Sequence, residues 1–355
     1  MRAVAVLLVV FSHAGFKFIP GGAGVTIFFV ISGFIITHLL LREQERAGTF
    51  DIVAFYVRRL FKLAPPFLLL VLIPTSIYAL ANNVEWSKVS SQVFFAYNWV
   101  KIGDGVESST GVLPGSGVVW SLAIEEQFYI VFALVWLVFA TTHKSRRLVL
   151  ISSSIFALTP LALRFMFVNT GTTMERIYYG TDTRIDAIAI GALSATIFAI
   201  WREKPERIQW IRMFGNPASL ILSCSLLLAT FFWRDTYFRD TARYSLQALA
   251  AAAILLYGLL ASDGKIFKIF SALVNAWPFQ IIGLASYSLY LLHDILLQWW
   301  NTNEASVPAA ISLSLISILA GCVAWIVIER PAEVLKSNWS RRRFKRKRIG
   351  DGVRA

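Results

Sequence analysis

Five groups of ionisable side chains sit inside or beside apolar stretches, where chemistry is the first question to ask of them. The first is the pair Arg2 and His13 in MRAVAVLLVVFSHAGFKFI. Their spacing is about three helical turns, so both fall on nearly one face, roughly 16 Å apart along the axis. If Arg2 stands at a membrane surface, His13 is then deep in the bilayer or near its far side. An ionisable group at that depth is a functional candidate by default. Imidazole exchanges protons near neutral pH and suits a general base or a nucleophile. The bland alternative is a histidine satisfied by a neighbouring helix.

The second group lies in WSLAIEEQFY, Trp120 to Tyr129. Ser121 and Glu125 are four apart and share a face, while Glu126 points about 100° away. A carboxylate here could orient a histidine and stabilise its charged form. Two adjacent glutamates cannot share one face, so at most one is expected to be central, and Ser121 favours Glu125. Otherwise the glutamates simply reach water. The third group is TDTRIDAIAIG, where Arg184 and Asp186 could meet an acceptor, close an ion-pair network or cap a span. The fourth is SYSLYLLHD, where Tyr290, His293 and Asp294 form one stripe at i, i+3 and i+4. A hydrogen-bonded network between helices is the expected reading there. The fifth is FYVRRLFKLAPP. Arg58, Arg59 and Lys62 could clamp a phosphorylated ligand, or could be ordinary charges that set topology.

The elements that position these groups are membrane helices. The 355 residues are 57% hydrophobic, and the mean hydropathy is +0.62. Many apolar runs are long enough to cross a bilayer, which excludes a soluble domain and indicates an all-α polytopic membrane protein. About ten spans are expected, near 3–19, 23–41, 61–81, 119–140, 148–168, 185–201, 217–233, 243–261, 279–299 and 309–328. No cleavage pattern precedes Pro20-Gly21-Gly22, so the first run reads as a span rather than a signal peptide.

A cytoplasmic N-terminus puts 25 of the 34 Lys and Arg on the inside. These lie at Arg2, in the 42–62, 141–147, 202–214 and 262–268 loops, and from Arg330 onward. An even number of spans with both termini cytoplasmic follows, in the cell (inner) membrane. The net charge of +13 is concentrated in that tail, including RRRFKRKR. It fits an anionic membrane surface rather than nucleic acid. Two domains of organisation are expected: a membrane part over 1–330 and a basic cytoplasmic tail over 331–355. Cys224 and Cys322 suggest neither a disulfide nor a metal site. The long outer segment from Asn82 to Val118 is glycine-rich and aromatic. It suits a sugar-facing surface or an interfacial aromatic belt.

Taken together, these stretches resemble the acyltransferase-3 family of membrane O-acyltransferases. The resemblance rests on six pieces in order: the Arg2/His13 pair, PGGAGVTIFFVISGFIIT, FYVRRLFKLAPP, WSLAIEEQFY, RIDAIAIGA and SYSLYLLH. It implies a ten-helix enzyme that takes an acyl group, usually acetyl, from cytoplasmic acyl-CoA. The group passes to a hydroxyl of an envelope polysaccharide or glycolipid at the outer face. His13 matches the family's essential histidine, Arg2 its partner arginine and Glu125 its carboxylate. Arg58 and Arg59 fall in the basic motif associated with CoA. Lys62 stands where that motif usually carries a second arginine, which keeps the charge but loses the bidentate fork. The appended extracytoplasmic hydrolase-like domain common in the family is not expected here.

The resulting expectation has His13 acting as base, held by Glu125, with Arg2 as partner. Arg58, Arg59 and Lys62 meet the acyl-CoA donor, a substrate rather than a resident cofactor. Ser121, Arg184, Asp186 and His293 lie on the substrate side. An acyl-histidine intermediate is the alternative chemistry. The rival class is a proton-coupled transporter or a lipid-linked glycan flippase, since buried His, Glu and Asp also mark transport paths.

Overall fold

The computed structural model describes residues 1–48, 50–140, 145–300 and 306–352, and all regular structure among them is helical. Lys144 and the last residues of the basic tail, 353–355, lie outside the described residues. The helices are α1 (Arg2–His13), α2 (Gly21–Ala47), α3 (Ile52–Tyr78, with a π-turn after Pro65-Pro66), α4 (Trp86–Val93) and α5 (Tyr97–Gly103). There follow α6 (Trp120–Ala140), α7 (Ser145–Asn169), α8 (Asp186–Glu203), α9 (Pro217–Phe232) and α10 (Arg243–Leu260). The last are α11 (Lys265–Asn275), α12 (Trp277–Leu284), α13 (Ser286–Trp299), α14 (Val307–Ala324) and α15 (Arg330–Gly352).

Among the described residues, six helices are long and apolar enough to cross a membrane: Gly21–Arg46, Ile52–Tyr78, Ser116–Leu137, Arg146–Asn169, Arg243–Leu260 and Val307–Arg341. Two bent pairs could add one span each. Gln209–Gly215 meets α9 at 70°, and α11 meets α12 at 53°. Their outward faces are apolar and exposed, as with Ile151, Ile155 and Leu158 on α7 and Leu315, Leu319 and Val323 on α14. Such faces need lipid, and helices with internally satisfied backbones can meet it. The chain is therefore a multi-pass membrane protein.

The centre of the bundle is α2. It starts after Pro20 and ends at Gly48, whose φ of 66° forms a left-handed cap bonded to the Gln44 carbonyl. Gly33 and Gly191 bring α2 and α8 together. A Cβ on Gly33 would overlap the Ile188 carbonyl, and one on Gly191 would overlap the Val30 carbonyl. Small residues allow such close helix approach.

Of the first expected span, 3–19, the helix covers only the part up to His13. Helix α1 has 12 residues, about 18 Å against a hydrocarbon core of about 30 Å. It pairs with only the first part of α2, with Ser12 against Gly21 and Ala5 against Gly24. Arg2 opens this helix. It lies inside the bundle, beside Gly283 and level with the middle of α2. The expected span at 279–299 is also divided, at Ala285, into α12 and α13.

The outer segment folds onto the bundle. Lys88 is buried and donates to Glu85 (3.1 Å), the Glu107 carbonyl (3.0 Å) and the Thr110 carbonyl (3.3 Å), and it pairs with Asp104 (3.3 Å). Burial alone would lower its pKa, but the Glu85 and Asp104 carboxylates outweigh that and raise it. Tyr97 is buried within this segment, while Trp86, Phe94 and Trp99 are exposed. Gly115, at φ 81°, seats the segment on the Asp294–Ile295 backbone of α13, where any Cβ would collide.

Candidate active site

His13 is the last residue of α1, and α13 brings His293 and Asp294 against it. His293 Nε2 lies 3.0 Å from His13 Nδ1. Asp294 Oδ1 is 3.4 Å from the same atom. The two rings stack with centroids 5.0 Å apart. His293 Nδ1 donates to the Tyr290 carbonyl at 2.7 Å. A carbonyl only accepts, so this bond keeps the proton on His293 Nδ1 and leaves Nε2 as an acceptor. His13 Nδ1–H then donates to His293 Nε2. The lone pair of His13 is left on Nε2, and the Asp294 carboxylate offsets positive charge on the ring. His293 is wholly buried, whereas the His13 side chain is 37% exposed, so an outside molecule can reach it. Lys101 faces Asp294 from α5. Burial lowers its pKa and the Asp294 charge opposes that.

Below this cluster runs a cavity of about 750 Å³. Its inner end is lined by Arg2, Ser32, Ser121, Glu125 and Tyr290, and its apolar waist by residues such as Phe28, Phe55 and Leu63. Its rim carries Arg42, Arg46, Arg58, Lys336 and Arg343. Tyr290 closes the inner end. Its hydroxyl lies 2.7 Å from Ser121 Oγ and donates to the Val118 carbonyl at 3.0 Å. The same residue thus lines the cavity and fixes the His293 tautomer.

The expected pairing of Glu125 with His13 is corrected. Glu125 accepts from Ser32 Oγ (3.1 Å) and Tyr129 OH (3.5 Å), and faces the cavity. The carboxylate beside His13 is Asp294, on another helix. The expectation that at most one of the two glutamates is central also fails. Glu126 is buried and ion-paired with Arg59, because α6 has protein on two sides. Arg2 keeps the helix face of His13 but lies about 16 Å from it along the axis, too far to touch the same atoms. Its Nε is buried with no hydrogen-bond partner among the described residues.

Arg58, Arg59 and Lys62 all line the cavity, but each already holds a carboxylate. Arg58 pairs with Glu43 at 2.7 Å. Arg59 pairs with Glu126 and stacks 3.8 Å over the Tyr129 ring. Lys62 bridges Glu329 (2.6 Å) and Glu333 (3.2 Å). Glu329 is buried at a π-turn and also accepts from Ser288 N and Oγ. In the apolar sequence IVIERP it carries no spacing signal. Ser121 lines the cavity and His293 joins the outer cluster, but Arg184 and Asp186 line neither. Asp186 closes a fully buried ion pair with Arg164 at 2.8 Å, shared with Ser245 at 2.6 Å. Arg184 is buried over the Tyr244 ring at 3.8 Å. Arg164 and Glu329 are the residues that sequence reasoning missed, and Asp294 reads there as part of a structural stripe rather than as the carboxylate beside His13, since their partners lie on other helices.

A family model described as an acyltransferase domain matches residues 1–329. A Staphylococcus aureus (strain COL) protein with a provisional O-acetyltransferase name is 29% identical over 359 residues, covering 96% of this chain and 58% of its own length. The O-acetyltransferase OatA of S. aureus (strain NCTC 8325 / PS 47) is 28% identical over 350 residues, covering 93% of this chain and 56% of its own. The chain thus spans little more than half the length of these curated relatives. No solved structure matches.

Proposed function

The chain belongs to the acyltransferase-3 family, and from that premise we propose that it is a membrane O-acyltransferase, most simply an O-acetyltransferase. It takes the acyl group from cytoplasmic acyl-CoA and transfers it to a hydroxyl of an envelope polysaccharide or glycolipid at the outer face. The observation that carries this reading is the alignment of a cation-rimmed cavity with a histidine cluster, on opposite sides of Tyr290. A thioester arm enters from the rim. Arg2 Nε–H and the Glu125 carboxylate stand where the arm's amides need a donor and an acceptor. Once the acyl end of the arm has passed Tyr290, His13 Nε2 removes the proton of the acceptor hydroxyl as its oxygen attacks the acyl carbon; the C–S bond breaks, and the CoA thiolate leaves with the proton returned by His13. Asp294 and His293 hold the ring and stabilise its charged form. The same lone pair serves the acyl-histidine route.

Ten spans with both termini cytoplasmic belong to this proposal. The six long helices and two bent pairs supply eight. The buried α8 supplies a ninth, and the short α1, with the turn after it, is counted as the tenth. In this arrangement His13, Asp294 and the 82–118 segment face outward, and the rim arginines face the cytoplasm, as the charge asymmetry favours.

The test is mass spectrometry of envelope glycans and glycolipids from cells with and without the protein. An added acyl mass only in its presence, dependent on acyl-CoA in membranes, is expected. Altered solute uptake or lipid flipping with no ester would put the transporter reading in its place.

A further inference from the structure

We propose that the phosphates of the donor are held by Arg42, Arg46 and Lys336, with Trp339 as the stacking surface for its base, and not by the basic motif of α3. The ligand class is a nucleotide carrying a thioester arm, so the proposal rests on the donor reading above. All four residues line the cavity, two of them on α2 and two on α15. The acidic groups near them are already engaged. Glu43 holds Arg58, Asp51 holds Arg343, and Glu333 with Glu329 holds Lys62. Arg42, Arg46 and Lys336 have no carboxylate partner among the described residues.

A phosphate approaching Arg59 or Lys62 would have to displace a carboxylate from a buried pair, which is costly. At Arg42, Arg46 and Lys336 no such pair among the described residues has to be broken. Arginine and lysine forming charge-assisted bonds to phosphate are among the stronger polar contacts. Trp339 adds an aromatic face. Its ring is tilted against Phe61 at 6.4 Å and covered by Arg343 at 5.5 Å, which keeps it fixed at the rim. Bases stack on such faces irrespective of identity. The reach also fits. Ser32, at the inner end, and Arg46 lie on the same helix, about 21 Å apart. An extended arm with phosphates at one end and a thioester at the other suits that span.

The same three cations would also attract the phosphate of an anionic lipid, and the experiment separates the two sources. The purified full chain is placed in nanodiscs of phosphatidylcholine alone or with phosphatidylglycerol. Binding of CoA and of 3′-dephospho-CoA is measured for the wild type, for the Arg42→Gln/Arg46→Gln/Lys336→Gln variant, for Trp339→Ala and for Arg58→Gln. Gel filtration and thermal unfolding establish that each variant is folded; Arg46→Gln alone is the milder fallback.

The expected result is CoA binding weakened about tenfold or more in the triple variant, with discrimination between CoA and its dephospho form lost. Trp339→Ala should weaken both ligands alike, and Arg58→Gln should retain the discrimination between CoA and its dephospho form. Triple-variant CoA binding equal to wild type in phosphatidylcholine, with loss of bound phosphatidylglycerol, would assign the rim to lipid and overturn the proposal. Loss of binding in Arg58→Gln alone would return the phosphates to α3, again leaving the donor reading intact. A wild type that binds no CoA in either disc would sink the donor reading together with this one.

Discussion

At the scale of single residues, the partner of His13 decides the chemistry. Asp294, not Glu125, touches the imidazole, so the two carboxylates should fail differently when neutralised. Asp294→Asn is expected to lower kcat by about tenfold or more, within the range of general acid–base effects, with donor KM little changed. Glu125→Gln should chiefly raise donor KM, since it faces the cavity. Steady-state kinetics on purified protein check both, and the reverse pattern would restore Glu125 as the orienting group. The Arg2–His13 spacing and the Tyr290/His293/Asp294 stripe are legible because they are local to one helix. Which stripe faces which residue depends on how α1 and α13 pack, and no single-helix period contains that. Glu125 draws attention because Ser121 lies a turn away, yet Ser121 bonds Tyr290.

At the scale of elements, the bundle depends on close approaches and on buried pairs. A methyl group on Gly33 has to displace the Ile188 carbonyl of α8. Gly33→Ala should therefore destabilise the protein by about 1–3 kcal/mol, the usual cost of overpacking. Asp186→Ala leaves Arg164 charged and unpaired in the interior, which typically costs about 3–5 kcal/mol. Thermal unfolding in detergent measures both. If Asp186→Ala instead leaves stability intact and raises KM for the acceptor, Asp186 belongs to the substrate site after all. The sequence reveals Asp186 as a charge opening a span. Its partner Arg164 is invisible there because α7 reads simply as apolar. In the outer segment, Lys88 ties α4 to the turns that follow. Its raised pKa means that the tie adds stability at every pH below the ordinary lysine value and is lost as the medium rises through the folded value.

At the scale of the whole molecule, hydropathy makes the helical membrane class plain. It marks apolar runs well but misjudges how they are used. The run 3–19 is a short helix and a turn, and the run 279–299 breaks at Ala285, because packing rather than hydropathy sets where a helix ends. Orientation is open to a direct check. With Cys224 and Cys322 replaced, Ser109→Cys should react with a membrane-impermeant maleimide from outside intact cells, while Ser337→Cys should react only after lysis. Labelling of both positions in intact cells would contradict an even number of spans. The central claim is that His13 drives the transfer of an acyl group to an envelope hydroxyl. It is tested most directly by comparing the ester content of envelope glycans and glycolipids in cells carrying the wild type or His13→Ala at equal membrane abundance. The account predicts an acyl mass with the wild type and its complete loss with His13→Ala. An undiminished ester in the variant would contradict it.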